Sequence, residues 1–315
     1  MKKLLRTFAN QLPVVGPWFK RQERYRDTVA EWSKFAPPGH FYSPIPSFPS
    51  TAAEEERVFS HAGYPDIPGI DMRQESQAAL LRSLSGFLLA MPFTASPEGG
   101  RRWGYNNSYF GYLDGLIYHA LIRHWRPSRV IEIGSGYSSC MLLDTNDICM
   151  NSKIKTTFID PNPERLAGLL RENDSASADI VARRIELVDP RLFDELGPGD
   201  ILFIDSSHVS KWGSDVNHIF FNVLPRLASG VHVHVHDVFH PFEYPSDWLA
   251  GGRAWNEAYL LRAFLMYNNA FQVDLSTDFL VRFEVDLIRR AFPLFDEWRS
   301  LRTDPNGASI WLTRL

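Results

Sequence analysis

The sequence predicts an α/β protein built on a doubly wound, mostly parallel sheet of seven strands, and three observations carry that expectation. From about residue 105 onward, short apolar and β-branched runs alternate with amphipathic stretches, the pattern of successive βαβ units. The first strong run, Val130–Ile133, leads into Gly134-Ser135-Gly136, a turn made for close backbone approach at the start of a helix. The chain ends on the apolar stretch ASIWLTRL, which reads as an antiparallel closing strand.

Taken in order, residues 35–50 (FAPPGHFYSPIPSFPS) carry too many prolines for a helix and read as extended chain on a surface. Helical spacing returns over 72–91, then Pro92, Pro97 and Gly99-Gly100 break it. A boundary is therefore expected near residue 100, with an amino-terminal accessory or cap segment, 1–100, before a sheet domain, 101–315. In that domain a helix over 108–125 precedes strands near 129–133, 155–159, 180–188, 200–205 and 231–238. Helices are expected at 137–145, 162–172, 213–228 and 253–267, and the last strands at 270–275 and 308–314. In such a sheet, ligands bind at the carboxyl ends of the strands where the strand order switches.

Composition narrows the function classes. With 44% hydrophobic and 22% charged residues over 315 positions, the chain can bury a full core. Lys+Arg 33 against Asp+Glu 37 gives a net charge of -4, without the basic excess that binding a phosphate backbone needs, so no nucleic-acid partner is expected. Two cysteines, Cys140 and Cys149, form no disulfide framework and point to a reducing, cytoplasmic setting. The amino-terminal apolar run is cut by Arg6, Asn10 and Gln11 before it reaches leader length, and no window is long enough to span a membrane. A homo-oligomer is left open.

Four strand ends hold the candidate chemistry. Glu132 puts a carboxylate two residues before the first glycine, where phosphate is repelled and an ammonium welcomed. Ser139 stands where a dinucleotide fingerprint needs its third glycine, which disfavours a pyrophosphate cofactor and an NAD-linked oxidoreductase. Asp160, just after the second strand, can accept from both hydroxyls of a ribose, or cap the helix opening at Pro161. The fourth strand ends in Asp205-Ser206-Ser207-His208. The fifth, Val231–Val238, alternates strictly and sets His232, His234 and His236 on one face, either as metal donors or as packed, hydrogen-bonded rings. His208 and His236 are candidate bases for removing an acceptor proton, with Asp237 orienting an imidazole or taking the proton itself. The aromatic, proline-rich stretch 239–248 reads as a lid over an acceptor, and Arg253, Trp255, Asn256 and Glu257 open the next helix, where they either face the cleft or cap and pack it.

The E-x-G-x-G turn and the carboxylate 24 residues after Gly136 resemble the first motifs of class I S-adenosylmethionine-dependent methyltransferases, which have a Rossmann-like sheet. FIDSSH is similar to the FIDxxH element of a bacterial subgroup related to small-molecule and sugar O-methyltransferases, and the resemblance covers roughly residues 105 to 275. It implies S-adenosyl-L-methionine as cofactor and a small-molecule or sugar hydroxyl as acceptor. Glu132 would face the methionine end of the cofactor and Asp160 its ribose, with Gly134, Ser135, Gly136, Tyr137, Pro161, Asp205 and Ser206 completing the pocket. Catechol-type relatives hold magnesium through one carboxylate after the fourth strand and an Asp-Asn pair after the fifth. Asp205 and Asp237 match two of these positions and Val238 replaces the third, so the metal is left unassigned. The alternatives are a metal-dependent hydroxylase or hydrolase on the same fold and a non-catalytic nucleoside-binding module.

Overall fold

A computed structural model describes residues 15–172, 174, 178–300 and 307–315; the amino-terminal run read above for a leader lies almost wholly outside them. The elements begin with α1 (Val15–Trp32), α2 (Ala52–Val58), α3 (Gln74–Leu89), α4 (Tyr112–Trp125), β1 (Arg129–Ile133), α5 (Tyr137–Cys149), β2 (Lys155–Ile159), α6 (Glu164–Ala167) and β3 (Ala178–Val181). They continue with β4 (Ile201–Ile204), α7 (Asp215–His218), β5 (His232–Val235), α8 (Ser246–Ala250), α9 (Glu257–Leu265), β6 (Phe271–Ser276), α10 (Thr277–Phe283), α11 (Val285–Ala291), α12 (Phe295–Ser300) and β7 (Ile310–Arg314). By compactness the chain divides into a smaller unit, the residues up to Glu55 with Ser246–Ala254, and a larger one, Glu56–Pro245 with Trp255–Leu315. In the smaller unit, residues 37–50 form no helix or strand, and Phe35, Phe41 and Tyr42 are exposed.

The larger unit holds a seven-stranded sheet in the order β3-β2-β1-β4-β5-β7-β6, in which only β7 runs antiparallel to its neighbours β5 and β6. The order reverses between β1 and β4, so their carboxyl ends open a crevice at the switch point. Strand alternation splits the core into two layers. Leu81 and Leu84 of α3, Ile117 and Leu121 of α4, and Met141 of α5 cover one face with Val130 and Phe203. Ile131, Leu202, Val233 and Val235 face the other way, against Val216, Ile219, Leu261 and Leu265. Among the described residues, no helix is long and apolar enough to cross a membrane.

Several elements are shorter than their sequence patterns suggest. The third strand stops at Val181, because the chain turns away at Arg183-Arg184 into a 3-10 turn at Ile185–Leu187. The helix expected over 162–172 shrinks to α6, and that over 213–228 breaks into α7, a π turn at Ile219–Val223 and a 3-10 turn at Leu224–Arg226. Pro225 explains the last break, since it offers no N–H to continue the ladder.

Candidate functional site

The turn after β1 is shaped by contact with the turn after β4. Gly134 has φ +83, and a Cβ there would lie 2.0 Å from the Asp205 carbonyl oxygen, so only glycine fits. Gly136 N–H donates to Ser139 Oγ at 3.0 Å, and the Ser138 and Ser139 hydroxyls donate to Glu132 Oε1 at 2.5 and 2.9 Å. Glu132 thus braces the start of α5 from behind the turn, fully buried, with Oε2 left without a partner. Burial is the main reason its carboxyl is pushed up to about 8, against the two serine hydroxyls.

Asp160 ties this turn to β2. Its Oδ2 accepts from Ser135 N–H at 3.0 Å and Ser135 Oγ at 2.8 Å, and its Oδ1 from Asn162 N–H at 2.8 Å. Of a carboxylate's roughly four lone-pair sites, this leaves one on Oδ1 for a ligand hydroxyl. Gly134, Asp160, Pro161, Ile185, Ser206 and Trp212 line part of a cavity of about 790 Å³ at the switch point, a volume suited to a nucleoside-sized molecule. Glu132, Ser135, Gly136 and Tyr137 do not line it. A turn with no room for a Cβ and a presented Asp160 fit a cofactor that carries a ribose, whereas Glu132, closed off behind the turn and kept neutral by burial, does not reach the cavity to meet an ammonium.

Beside the cavity, the ends of β4 and β5 bring three side chains together. Asp205, His208 and Asp237 each offer one donor atom, all within 4.8 Å of one another. His208 Nε2 lies 3.3 Å from Asp205 Oδ1 and 3.3 Å from Asp237 Oδ2. The other ring nitrogen, Nδ1, is 2.9 Å from Glu257 Oε2, and Glu257 Oε1 accepts from Ser206 Oγ at 2.9 Å. Both His208 (φ 59) and Asp237 (φ 56) occupy the left-handed region, which costs a non-glycine residue and is tolerated where neighbours over-determine the conformation. Those neighbours are visible: the His208 carbonyl accepts from Asn256 and Glu257 N–H at 3.0 and 3.1 Å, and Trp255 covers the ring at 4.4 Å. Burial opposes charge on His208, but Asp205, Glu257 and Asp237 together outweigh it and hold the imidazole protonated well above its ordinary range.

Known proteins resemble this chain over the same region. A family model described as a methyltransferase domain matches residues 131–238, from β1 to the turn after β5. A protein of Archaeoglobus fulgidus, described as uncharacterized, is 35% identical over 171 residues, covering 53% of this chain and 76% of that one. Residues 131–238 thus form a methyltransferase domain of the S-adenosylmethionine-dependent class. Among solved structures, it is similar to the Podospora anserina methyltransferase PaMTH1 bound to SAH (16% identical, covering 85% and 98% of the two chains, TM-score 0.41). Another similar structure is the O-methyltransferase TomG of Streptomyces achromogenes with SAM (15%, 84% and 99%, TM-score 0.39).

In this methyltransferase the other histidines of β5 are packing residues. His232 stacks on Trp125 at 3.6 Å with Nδ1 2.8 Å from Thr313 Oγ1; His234 stacks on Phe203 at 3.7 Å with Nε2 2.8 Å from Ser309 Oγ. Burial holds His234 neutral, well below its ordinary range. His236 is buried at the cluster's edge, its Nε2 3.7 Å from Asp237 Oδ1 and its Nδ1 unpartnered. The expected lid is largely an inward-packed flap. Phe239, His240 and Phe242 are buried, His240 N–H donates to Asp278 Oδ2 at 2.9 Å, and Tyr244 OH accepts from Ala258 N–H at 3.1 Å. Arg253 belongs to the smaller unit, where its guanidinium covers Trp248 at 4.4 Å. The sequence offers Glu257 for the cleft or for capping but not as the partner of His208, and gives no signal for the cavity residues Ile185 and Trp212, which carry no motif.

Proposed function

We propose that this methyltransferase moves the methyl group of S-adenosylmethionine to a hydroxyl oxygen of a small molecule or sugar. The observation that carries the reading is the Asp205–His208–Asp237 cluster at the ends of β4 and β5, bordering the cavity that Asp160 and Gly134 line. When bound, the cofactor supplies an electrophilic methyl on its sulfonium. Asp160 would hold its ribose, the 134–137 turn would approach it through backbone, and Glu132 would brace that turn from behind through the Ser138 and Ser139 hydroxyls. Asp205, Asp237 and Glu257 place three carboxylates around one imidazole. Asp237, whose carboxyl burial raises above its ordinary range, takes the acceptor's hydroxyl proton as its oxygen attacks, with His208 and His236 orienting the hydroxyl.

Calorimetric titration with S-adenosylhomocysteine tests the cofactor half. Binding is expected, and Asp160→Ala should weaken it by roughly 1–3 kcal/mol, the usual cost of stranding polar partners. Unchanged binding in a folded Asp160→Ala protein would overturn the assignment of the ribose site. Incubation with S-adenosylmethionine and a panel of phenols, catechols, hydroxy acids and sugars, read by mass gain of the acceptor, tests the other half. Methyl gain on nitrogen acceptors alone would refute the hydroxyl reading.

A further inference from the structure

The magnesium site of the catechol-type relatives does not fit this chain. Its third ligand position is Val238, which is buried and uses its backbone N–H on the Ala308 carbonyl, so an all-oxygen set cannot form there. A nitrogen donor stands in the cluster instead. His208 Nε2 is equidistant, at 3.3 Å, from one oxygen of Asp205 and one of Asp237. A single Nε2 proton cannot point along both contacts, and both exceed the ~2.7–2.9 Å of a charge-assisted N–H···O bond. Donor atoms about 2.0–2.2 Å from one cation stand roughly 2.8–3.1 Å apart in octahedral and 3.3–3.6 Å in tetrahedral arrangement, and the two His208 separations lie in that span. Glu257 takes Nδ1 at 2.9 Å, the carboxylate–histidine pairing that fixes a metal-binding tautomer and aims the other nitrogen at the ion. At the same edge His236, an imidazole more than nine-tenths buried, leaves Nδ1 without a partner and keeps Nε2 3.7 Å from Asp237, beyond hydrogen-bond range.

We infer that Asp205, His208 and Asp237 bind one divalent first-row transition ion such as Mn²⁺, Co²⁺ or Zn²⁺ in preference to Mg²⁺, with Glu257 as the residue that positions His208. An imidazole in the donor set favours borderline ions such as Co²⁺ and Zn²⁺, Mg²⁺ favours oxygen alone, and Mn²⁺, a harder ion that still accepts imidazole, stands between them. Backbone strain at His208 and Asp237 fits the same role, since both side chains are turned toward a common centre. The inference rests on the cluster and holds whichever acceptor is methylated.

The test uses full-length protein stripped with chelator and titrated by calorimetry with Mn²⁺, Co²⁺, Zn²⁺ and Mg²⁺ separately, without cofactor or acceptor. One ion per chain is expected, with Mg²⁺ at least tenfold weaker than the others. Asp205→Asn and Asp237→Asn should abolish stoichiometric binding, and Glu257→Gln should weaken it 10- to 100-fold. Electron spin echo modulation of the Mn²⁺-loaded wild type should show nitrogen coupling from an imidazole, a readout that needs no variant. Absence of stoichiometric binding, Mg²⁺ binding as tight as Zn²⁺, retention of the ion in folded Asp205→Asn and Asp237→Asn proteins, or an Mn²⁺ spectrum without nitrogen coupling would each overturn the site. Methyl transfer plays no part in these measurements, so a failed acceptor screen leaves them unaffected.

Discussion

Replacing Glu132 with Gln should stabilise the protein above neutral pH. The carboxyl is fully buried between β1 and α5, and burial lifts it from an ordinary 4.5 to about 8. Because the folded value is the raised one, this group favours folding fully below pH 4.5, and the advantage drains away as pH rises through 4.5 toward 8. By pH 7 the unfolded chain has released a proton that the folded chain still holds, and at ~1.4 kcal/mol per pH unit the loss comes to about 3 kcal/mol. Gln keeps an oxygen for the Ser138 and Ser139 hydroxyls and places an uncharged group where Oε2 lacks a partner. Urea unfolding of both proteins at pH 5, 7 and 8 isolates the effect, since other titrating groups cancel in the difference. Near-equal stability at pH 5 is expected, with the variant ahead by about 3 kcal/mol at pH 7 and further ahead at pH 8. A difference that does not vary with pH, or a variant less stable throughout, would refute the reasoning.

His208→Gln, which removes the ring that orients the hydroxyl, should lower single-turnover methyl transfer about 10²-fold, with the first acceptor the wild type accepts, while S-adenosylhomocysteine affinity stays within about twofold. Equal losses in rate and in cofactor affinity would assign His208 a purely structural role. Arg102 is enclosed by Asp144, Asp147 and Asp174 with its side chain 3% exposed, so Arg102→Met strands buried carboxylates and should cost about 3–5 kcal/mol at pH 7, with part of the loss recovered near pH 4 as they protonate. Chemical denaturation at the two pH values checks it, and a loss below 1 kcal/mol would show that the network relaxes freely.

Much of the sheet was legible because its signal is local. Strict alternation at Val231–Val238 fixed which face each histidine takes, and the glycines and acids at the strand ends marked the switch point before any pairing was known. Helical lengths were not legible in the same way. Residues 162–172 and 213–228 have helical spacing, yet Pro225 and packing under the sheet break them into single turns, a tertiary outcome that propensity does not encode. The helices α10 to α12 went unforeseen because each has only six or seven residues, too few for a period to register. At the site, Asp205, His208 and Asp237 were named from their strand ends, but Glu257 reaches His208 across 49 positions of sequence. Such a partner leaves no spacing to read.

The meeting of Gly134 with the Asp205 carbonyl has a meaning for how the protein can diversify. One backbone contact joins the turn that approaches the cofactor to the strand end that begins the reactive cluster, and it tolerates no side chain at position 134. Under the proposed reading, the donor of the methyl group and the place of its arrival would be gauged against each other by main chain, independent of any side chain that selection can exchange. Lineages descending from this sequence are free to rewrite the surfaces that choose an acceptor, whereas a saturation library at codon 134 should return glycine alone among functional clones.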